Sequence, residues 1–456
     1  MMSHGLEPRQ RVLLNCVLRP LPAIERLGRI LGSFSERYIQ PRFHFYLAFF
    51  VLEFVFLLIS VFSHDKENIR VLFFLYLFSF LPFAYALFTG ARVEMSARMI
   101  FLTAIAFRLT LLASFPVFSD DVFRYLWEGK MQLEGINPYL VPPSDAITEP
   151  FRDQYWQHIN HKTIATIYPP LSQVFFRLIM GVAYNLYFFK AVLIALDLAV
   201  MVFLYFIAKN RLVSLHRLLI YGWHPLVIIE ISGSGHQDVI GIFFLTGCVY
   251  FWQKRNLWKS SLMLIASFLS KLFPLMLFPL LLRNKNKWPY LMLLALTIVF
   301  YLPFHGAGLE VFSGLGIYSS TWQANDSVFY VIHLLIKNQV MARIVVGVLF
   351  LMIYAYIYLK GGEFTGASLA VLGGFMILSP TLHPWYVLWI IPLLVLLPDK
   401  AWLWLTMGVA IYYYILIDYF EQGLWQEHLW IKGVIFIPFF ILLADSCFKE
   451  KKFFYE

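Results

Sequence analysis

Apolar runs of eighteen or more residues recur along the whole chain, and this feature limits most strongly what the chain can fold into. A helix of about twenty such residues crosses the hydrocarbon core of a bilayer. Hydrophobic residues make up 60% of the 456 residues and charged residues only 14%, which leaves too much apolar surface for a soluble protein of this size. The sequence therefore predicts an all-α, polytopic membrane protein.

The apolar runs and the charges between them predict about twelve transmembrane helices. Basic residues cluster at the ends of the runs, and the positive-inside rule places those ends in the cytoplasm. The predicted spans are 43–63, 71–89, 98–118, 187–208, 216–233, 238–253, 288–304, 340–359, 365–380, 384–398, 401–418 and 430–447.

One membrane domain, residues 43–448, accounts for nearly the whole chain. We expect the basic arm at 1–42 and the short tail at 449–456 to be cytoplasmic, because both are rich in basic residues. Within the domain, 119–186 is predicted to be a large first external loop and 305–339 a second one. Two interrupted apolar stretches, near 171–184 and 260–282, are interpreted as re-entrant half-helices.

Composition also narrows the partners. The net charge of +9 is explained by orientation in the bilayer, and no basic-aromatic patch suited to nucleic acid stands out. Cys16, Cys248 and Cys447 suit neither a disulfide framework nor a metal site. No nucleotide-phosphate loop motif appears. We therefore expect membrane lipids around the protein, and no nucleic-acid partner, cofactor or metal.

Two adjacent carboxylates, Asp120 and Asp121, follow directly on the third predicted span. Ionisable residues at the membrane boundary are costly to hold near lipid and are functional candidates. A partly desolvated carboxylate can act as a general base on a hydroxyl group. The same pair also fits a plain N-cap for a helix over 122–132 that Gly135 ends. The sequence leaves both interpretations open.

Other uncommon polar residues are predicted on the same external face. Such a pocket could hold a sugar against aromatic faces, and an arginine or Lys271 could bind a phosphate. Plainer interpretations exist: 236–238 fits a solvated turn, Lys271 a snorkelling lysine, and 383–386 an aromatic anchor at the interface. Besides the acid pair, the predicted pocket residues of this face are Arg124, Glu128, Asn137, Tyr168, His236, Asp238, Asp326 and His383.

The string DDVFRYLWEG at 120–129, followed by GINPY at 135–139, resembles the first external loop of bacterial GT-C-fold glycosyltransferases. The nearest branch is the mannosyltransferase-like enzymes that use polyprenyl-phosphate sugars. Later strings resemble further landmarks of that group in the same order, and the similarity covers about 98–400. These strings are IYPPL at 167–171, GHQD at 235–238, SKLFP at 270–274 and HPWY at 383–386.

The resemblance implies an inverting, metal-independent hexosyltransferase that moves mannose from a polyprenyl-phosphate donor to a glycan or lipid acceptor. It implies a bacterial cytoplasmic membrane, with the active site facing outward. One of Asp120 and Asp121 would be the general base. Arg124, Lys271 and His383 would bind the donor phosphate. The residues implied for sugar and acceptor binding are Glu128, Asn137, Tyr139, Tyr168, His236, Asp238, Trp385 and Tyr386.

A transporter or flippase of a lipid-linked saccharide is the alternative. Transporters often carry inverted repeats and charges near the bilayer midplane. In this sequence the charges gather at one face beside a large loop. A non-catalytic scaffold would leave the acids and aromatic residues of that loop without a use. The sequence therefore predicts a membrane glycosyltransferase.

Overall fold

The structure is a computed structural model that describes residues 41–90, 96–283 and 286–455. Nearly all of the predicted basic arm lies outside these residues, as do two of the basic residues between predicted spans, Arg92 and Lys285. Helices dominate the described residues, which contain no strand, although an isolated parallel bridge joins Ala324 and Thr381. The predicted all-α class is confirmed.

Many of the helices are short, and tight helical turns of other kinds separate them. Within the described residues, 3-10 turns occupy Lys66–Asn68, Ala146–Phe151, Leu215–Leu218, Phe273–Leu277, Leu302–Phe312, Pro384–Ile390 and Val409–Tyr414, and Ile229–Gly233 is a π-helical turn. The α-helices are α1 (Pro41–Phe62), α2 (Ile69–Gly90), α3 (Ala97–Leu112), α4 (Asp121–Leu133), α5 (Gln154–Gln157), α6 (Pro170–Val182), α7 (Leu186–Asn210), α8 (Leu219–Gly222), α9 (Pro225–Ile228), α10 (Asp238–Gln253), α11 (Leu257–Ser270), α12 (Phe278–Leu281), α13 (Trp288–Tyr301), α14 (Ser313–Thr321), α15 (Val328–Ile336), α16 (Gln339–Lys360), α17 (Phe364–Leu378), α18 (Ile391–Leu396), α19 (Lys400–Gly408), α20 (Ile415–Gln422) and α21 (Leu429–Tyr455).

Several helical stretches have the length and composition of membrane spans, which confirms the polytopic membrane class. The number of crossings, their orientation and the domain boundaries stay predictions. Among the described residues, seven stretches are long and apolar enough to cross: Phe43–Phe62, Lys66–Gly90, Leu186–Asn210, Trp288–Thr321, Gln339–Lys360, Lys400–Gln422 and Leu429–Cys447. The shorter apolar helices are Pro170–Val182, Asp238–Gln253, Leu257–Ser270, Phe364–Leu378 and Pro384–Leu396.

Two predicted spans need correction. The helix predicted over 98–118 ends at Leu112, because Pro116 has no N–H to donate and disfavours helical backbone in the residue before it. The span predicted over 216–233 is not continuous, because Pro225 begins α9 and His224 before it is extended. The segment after the first interruption, 115–119, lines the cavity described below and leads directly to Asp120.

A buried ion pair ties α3 to α7. The Nε of Arg108 lies 2.5 Å from Oδ2 of Asp197, and both side chains are fully buried. The Tyr221 hydroxyl donates to the other carboxylate oxygen at 2.5 Å, and Nη1 of Arg108 donates to the Gly222 carbonyl at 2.8 Å. Charges inside an apolar bundle need partners of this kind.

A second buried cation on α7 fixes the segment that leads to the acid pair. The Lys190 amine donates to the carbonyls of Leu111, Leu112 and Ser114 at 2.7–3.0 Å. The last carbonyls of a helix have no partner within the helix. Lys190 supplies that partner at the end of α3, and thereby fixes where the chain turns towards Asp120.

The interruption predicted within 260–282 is confirmed. Helix α11 ends at Ser270, Lys271 is extended, and the chain resumes as the 3-10 turn Phe273–Leu277 with Pro274 in its first turn. The break leaves the Lys271 side chain directed at a large cavity.

Candidate active site

A cavity of about 1370 Å³ lies where the interrupted segments meet. Its wall combines the segment that follows α3, the start of α4, residues of the first predicted loop, the break at Lys271 and the loop before Pro384. The volume exceeds the roughly 300–1,000 Å³ of ordinary small-molecule pockets. The residues predicted from the sequence that line it are Asp120, Asp121, Arg124, Tyr168, Lys271, His383, Trp385 and Tyr386.

Asp120 and Asp121 stand at the beginning of α4. Asp120 occupies the N-cap position, but its side chain makes no capping hydrogen bond. Instead, Asn160 donates to Oδ1 of Asp120, and lies 3.5 Å from Oδ1 of Asp121. The plain N-cap interpretation is therefore wrong for the side chain of Asp120. Asp121 does lie in the first turn of α4, where an acid suits the helix dipole, and both residues line the cavity.

The acid pair has no directly paired lysine or arginine in the described part of the chain, and the charge of Lys66 acts on Asp120 only at longer range. Within the described residues, no lysine or arginine forms an ion pair with either carboxylate. Burial, followed by the charge of Asp121, raises the pKa of Asp120 to about 7, although hydrogen bonds from the backbone and from Asn160 oppose this rise. A carboxyl group that titrates near neutral pH is suited to proton transfer.

Arg124 faces the cavity, but its donors are held by the protein. Its Nε donates to Oε1 of Glu128 at 2.6 Å, and its Nη2 donates to the Ile164 carbonyl at 2.5 Å. Glu128 in turn accepts from Thr166 at 2.8 Å and Gln173 at 2.6 Å. Arg124 and Glu128 thus brace the first predicted loop against α4, while the guanidinium charge remains beside the cavity.

Lys271 is the cation with the clearest position for a ligand. Its amine contacts Oδ1 and Oδ2 of Asp238 at 2.9 and 3.1 Å, and lies 4.7 Å from the ring centre of Tyr386. Asp238 is buried and also accepts from Nε1 of Trp389 at 2.7 Å. The side chain of Lys271 is 17% exposed, so the amine is anchored and still reaches the cavity.

Three rings are stacked at one side of the cavity. Trp385 lies between His383, at a centroid distance of 4.4 Å, and His236, at 4.2 Å. Burial, Lys271 and His236 lower the pKa of His383 to about 3. This shift keeps the His383 ring uncharged near neutral pH, and its contact with the donor phosphate stays a prediction.

Five predicted site residues lie behind the wall. Two of them, Glu128 and Asp238, are the acidic partners of Arg124 and Lys271. Asn137 accepts from the backbone N–H of Tyr139 at 3.1 Å, and the Tyr139 hydroxyl donates to the Tyr168 carbonyl at 2.7 Å. The structure brings these residues next to the cavity as supports. The five residues that do not line the cavity in the described part of the chain are Glu128, Asn137, Tyr139, His236 and Asp238.

Several residues that line the cavity were not predicted from the sequence. The polar string HINHK at 158–162 contributes His158, Asn160, His161 and Lys162 to the cavity. Its density of polar groups in a predicted external loop was a usable signal. Tyr318, which meets the Tyr386 hydroxyl at 2.6 Å, carries no local signal because it arrives from the distant helix α14.

The described part of the chain contains no set of side chains arranged as metal ligands. No group of three or more His, Cys, Asp or Glu side chains there is arranged to hold a metal ion. The acid pair contacts Asn160 and approaches one histidine.

Fold and cavity together define an integral-membrane protein in which acidic, basic and aromatic groups meet an apolar chamber. The family model described as "Alpha-(1->6)-mannopyranosyltransferase, N-terminal domain" (the MptA_B family) matches residues 55–283, half of the chain. The chain belongs to this GT-C-type family and is a glycosyltransferase acting on mannose. No curated protein and no solved structure gives a match. The matched residues include Asp120, Asp121 and Lys271.

Proposed function

We propose that this protein transfers mannose from a polyprenyl-phosphate donor to a hydroxyl group of a glycan or lipid acceptor, at the external face of a bacterial cytoplasmic membrane. The observation that carries the proposal is the combination, in one cavity, of an unneutralised carboxylate pair, Lys271 and a wall of apolar residues. Each of these features suits a different part of the reaction.

The apolar wall suits a lipid chain. Val346, Gly347 and Phe350 of α16 line the cavity together with Phe375 and Leu378 of α17. Only 11% of the most apolar part of α16 is buried within the protein, so this helix also offers a wide apolar surface to the bilayer. A polyprenyl chain dissolved in the bilayer can lie along such a wall without exposure to water, because lipid tails and apolar side chains are about equally apolar.

Lys271 suits the donor phosphate. An ammonium group has three donors, and Asp238 occupies two directions of the Lys271 amine. The third is free to meet a phosphate oxygen beside Phe273, which follows in sequence and also lines the cavity. His383 adds a neutral hydrogen-bonding group, and Arg124 adds positive charge near the same wall.

The acid pair suits the acceptor. The acceptor oxygen attacks the anomeric carbon from the face opposite the phosphate, and a carboxylate of the pair takes its proton. The bond between that carbon and the phosphate oxygen breaks, and the phosphate keeps the electron pair. One displacement of this kind inverts the anomeric configuration. Positioning of the reactants and a general base supply the rate, the base alone about 10²–10⁴-fold.

The donor class is tested with purified protein in lipid vesicles. Polyprenyl-phosphate mannose, polyprenyl-phosphate glucose and nucleotide-linked mannose are supplied separately with an acceptor extract. The proposal expects free polyprenyl phosphate to be released from the mannose lipid in step with mannose transfer. Direct use of the nucleotide-linked sugar, with the mannose lipid left intact, would contradict it.

The membrane face is tested with single cysteines in a variant that lacks Cys16, Cys248 and Cys447. Glu134, exposed at the end of α4, is replaced by cysteine, and Lys209, exposed at the end of α7, provides the matched control. An impermeant thiol reagent added outside spheroplasts should label position 134 and spare position 209. The reverse pattern would overturn the external site.

A further inference from the structure

His236 stands behind Asp121, and the proposed transfer reaction does not use it. Its ring is fully buried, with Nδ1 3.9 Å from Oδ2 of Asp121 and Nε2 3.3 Å from Oε2 of Glu230. Neither ring nitrogen has a hydrogen-bond partner among the described residues. Leaving a buried polar group unsatisfied costs about 1–3 kcal/mol, so the arrangement needs a physical reason.

The backbone around His236 is built to hold this position. A π-helical turn at Ile229–Gly233 places Glu230, and the His236 N–H donates to the Glu230 carbonyl at 3.0 Å. Gly235 adopts φ +76°, and a Cβ there would lie 2.9 Å from Cγ2 of Val122. Only glycine fits such a conformation at so close an approach. Single π-helical turns occur frequently at functional sites.

The number of protons on the His236 ring decides how many of its neighbouring carboxylates it can satisfy. A neutral imidazole has one N–H and one lone pair, whereas an imidazolium has two N–H donors. In this site two carboxylates, Asp121 and Glu230, face the two nitrogens of one ring. A neutral ring can satisfy only one of them, and its lone pair faces the other. The site is therefore complete when one more proton arrives.

We propose that His236 receives, through Asp121, the proton that the acceptor hydroxyl loses, and that Glu230 stabilises the imidazolium that results. The inference rests on the proposed function. The acceptor O–H bond breaks and its proton binds a carboxylate oxygen of Asp121, which passes a proton to Nδ1 of His236. The acceptor oxygen bonds to mannose, and the departing phosphate keeps the electron pair of the broken bond. The stored proton later returns through Asp121 to water in the cavity.

Glu230 is prepared to stabilise this charge. The hydroxyl groups of Tyr76 and Tyr413 donate to its Oε1 at 3.0 and 2.9 Å, which leaves Oε2 for His236. These bonds fix the carboxylate at a position deep in the bundle. His236 acts on the acceptor only through Asp121, so it is a positioning residue for the proton.

The other charged and titratable neighbours of His236 are already occupied. Lys190 packs its aliphatic chain near Gly235, but its amine serves the carbonyls at the end of α3. Asp238 is paired with Lys271. His383, across the Trp385 ring, has a pKa lowered to about 3 and stays neutral. Glu230 and Asp121 are therefore the groups that decide where the proton goes.

The test compares His236→Asn, Glu230→Gln and the control His224→Asn in purified protein. His224 is also fully buried and bonded to Thr406 at 2.9 Å, but is not among the described lining residues. The rate constant and the KM values for donor and acceptor are measured from pH 6 to 9. A His236→Gln variant and thermal unfolding of every protein guard against a folding defect.

We expect His236→Asn to lower kcat at least tenfold near neutral pH, with both KM values within twofold of the wild type. The loss should shrink as pH rises, because Asp121 can then release its proton directly to solvent. Glu230→Gln should act in the same direction but less strongly, and His224→Asn should change neither kcat nor its pH profile. An unchanged pH profile in His236→Asn, or a loss confined to KM, would overturn the inference.

A second measurement does not depend on transfer. An imidazolium stacked on an indole quenches its fluorescence, so the emission difference between wild type and Trp385→Phe reports the protonation of His236. We expect the emission of Trp385 to be quenched on acidification of the wild type. The quenching should be absent in His236→Asn and should occur at a different pH in Asp121→Asn. If the emission of the wild type changes with pH in this way but the protein transfers no sugar from polyprenyl phosphate, the proposed function alone is rejected. Normal transfer with the same emission profile in wild type and His236→Asn would reject the proton-storing role alone.

Discussion

Two acidic sites in this bundle are arranged in opposite ways. Asp197 is fully buried, yet Arg108 and the Tyr221 hydroxyl satisfy both of its oxygens. Asp120 and Asp121 border a cavity, and no lysine or arginine of the described chain pairs with them. A buried ion costs several kcal/mol unless a partner compensates it. The first arrangement joins α3 to α7, whereas the second keeps carboxylates available for a proton.

The two lysines near the site repeat the contrast. The amine of Lys190 donates to three backbone carbonyls, and the residue is buried, so its charge has a structural role. Lys271 is anchored by Asp238 and still reaches the cavity. The residue type does not distinguish a structural from a functional charge in this protein. The number of partners, and access to the cavity, do.

The largest effect on stability is expected from breaking the structural acid site. Arg108→Met leaves Asp197 buried without a cation, which should lower the free energy of unfolding by about 3–5 kcal/mol. Thermal unfolding in detergent measures the loss. The double variant Arg108→Met/Asp197→Leu, which removes both charges, should recover most of it. Equal stability of the single and double variants would show that Arg108 does not compensate a buried charge on Asp197.

The next effect concerns the cation that reaches the cavity. Lys271→Met/Asp238→Asn removes the amine without leaving Asp238 uncompensated. A hydrogen bond to a charged group contributes about 1.5–3 kcal/mol, so the KM for the donor should rise on the order of ten- to a hundredfold. Lys271→Arg, which keeps the charge, serves as the control and should lose less. A KM unchanged in the double variant would remove Lys271 from the phosphate site.

Asp120 makes stability depend on pH in a definite direction. Its pKa rises from 3.8 to about 7 on folding, so the folded protein binds more protons than the unfolded chain between these values. The resulting stabilisation is fully present below about pH 4 and is lost as pH rises through about 7. For a partly exposed group the change is on the order of 2 kcal/mol. Thermal unfolding between pH 4.5 and 7.5 should show this slope, and Asp120→Asn should flatten it.

The smallest effect is expected at Asn160. Its amide donates to Asp120 and thereby opposes the rise in the pKa of that carboxyl. Asn160→Ala should raise the pKa of Asp120 further, because the charged carboxylate loses a hydrogen-bond donor. An ionised Asp120 favours movement of a proton to Asp121. The rise of the transfer rate with pH should therefore occur at a higher pH in this variant. If the transfer rate instead rises at a lower pH than in the wild type, Asn160 does not stabilise the charged form of Asp120.

Sequence patterns predicted the features that depend on local chemistry. The apolar runs predicted most helix positions, and α10 matches its predicted span, 238–253. Ser270, Lys271 and Pro274 predicted the break in 260–282, because a charge and a proline both interrupt an apolar helix. The acid pair was recognised by its place directly after a span.

Features that depend on distant parts of the chain could not be predicted in this way. Arg108 and Asp197 are far apart in sequence, and their helical patterns do not specify which faces meet. The contact of His236 with Glu230 requires a π-helical turn, which has no reliable local signature. His383 looked basic in sequence, and only the burial of its ring and its neighbours Lys271 and His236 make it neutral.

Mannose transfer by Asp120→Asn and Asp121→Asn tests most directly whether the unneutralised pair is the base. The control is Asp145→Asn, since Asp145 caps Ala146–Phe151 and asparagine caps equally well. We predict folded proteins, a loss in kcat of about 10²–10⁴-fold in at least one variant of the pair, and unchanged activity in the control. Wild-type rates in both Asp120→Asn and Asp121→Asn would contradict the account.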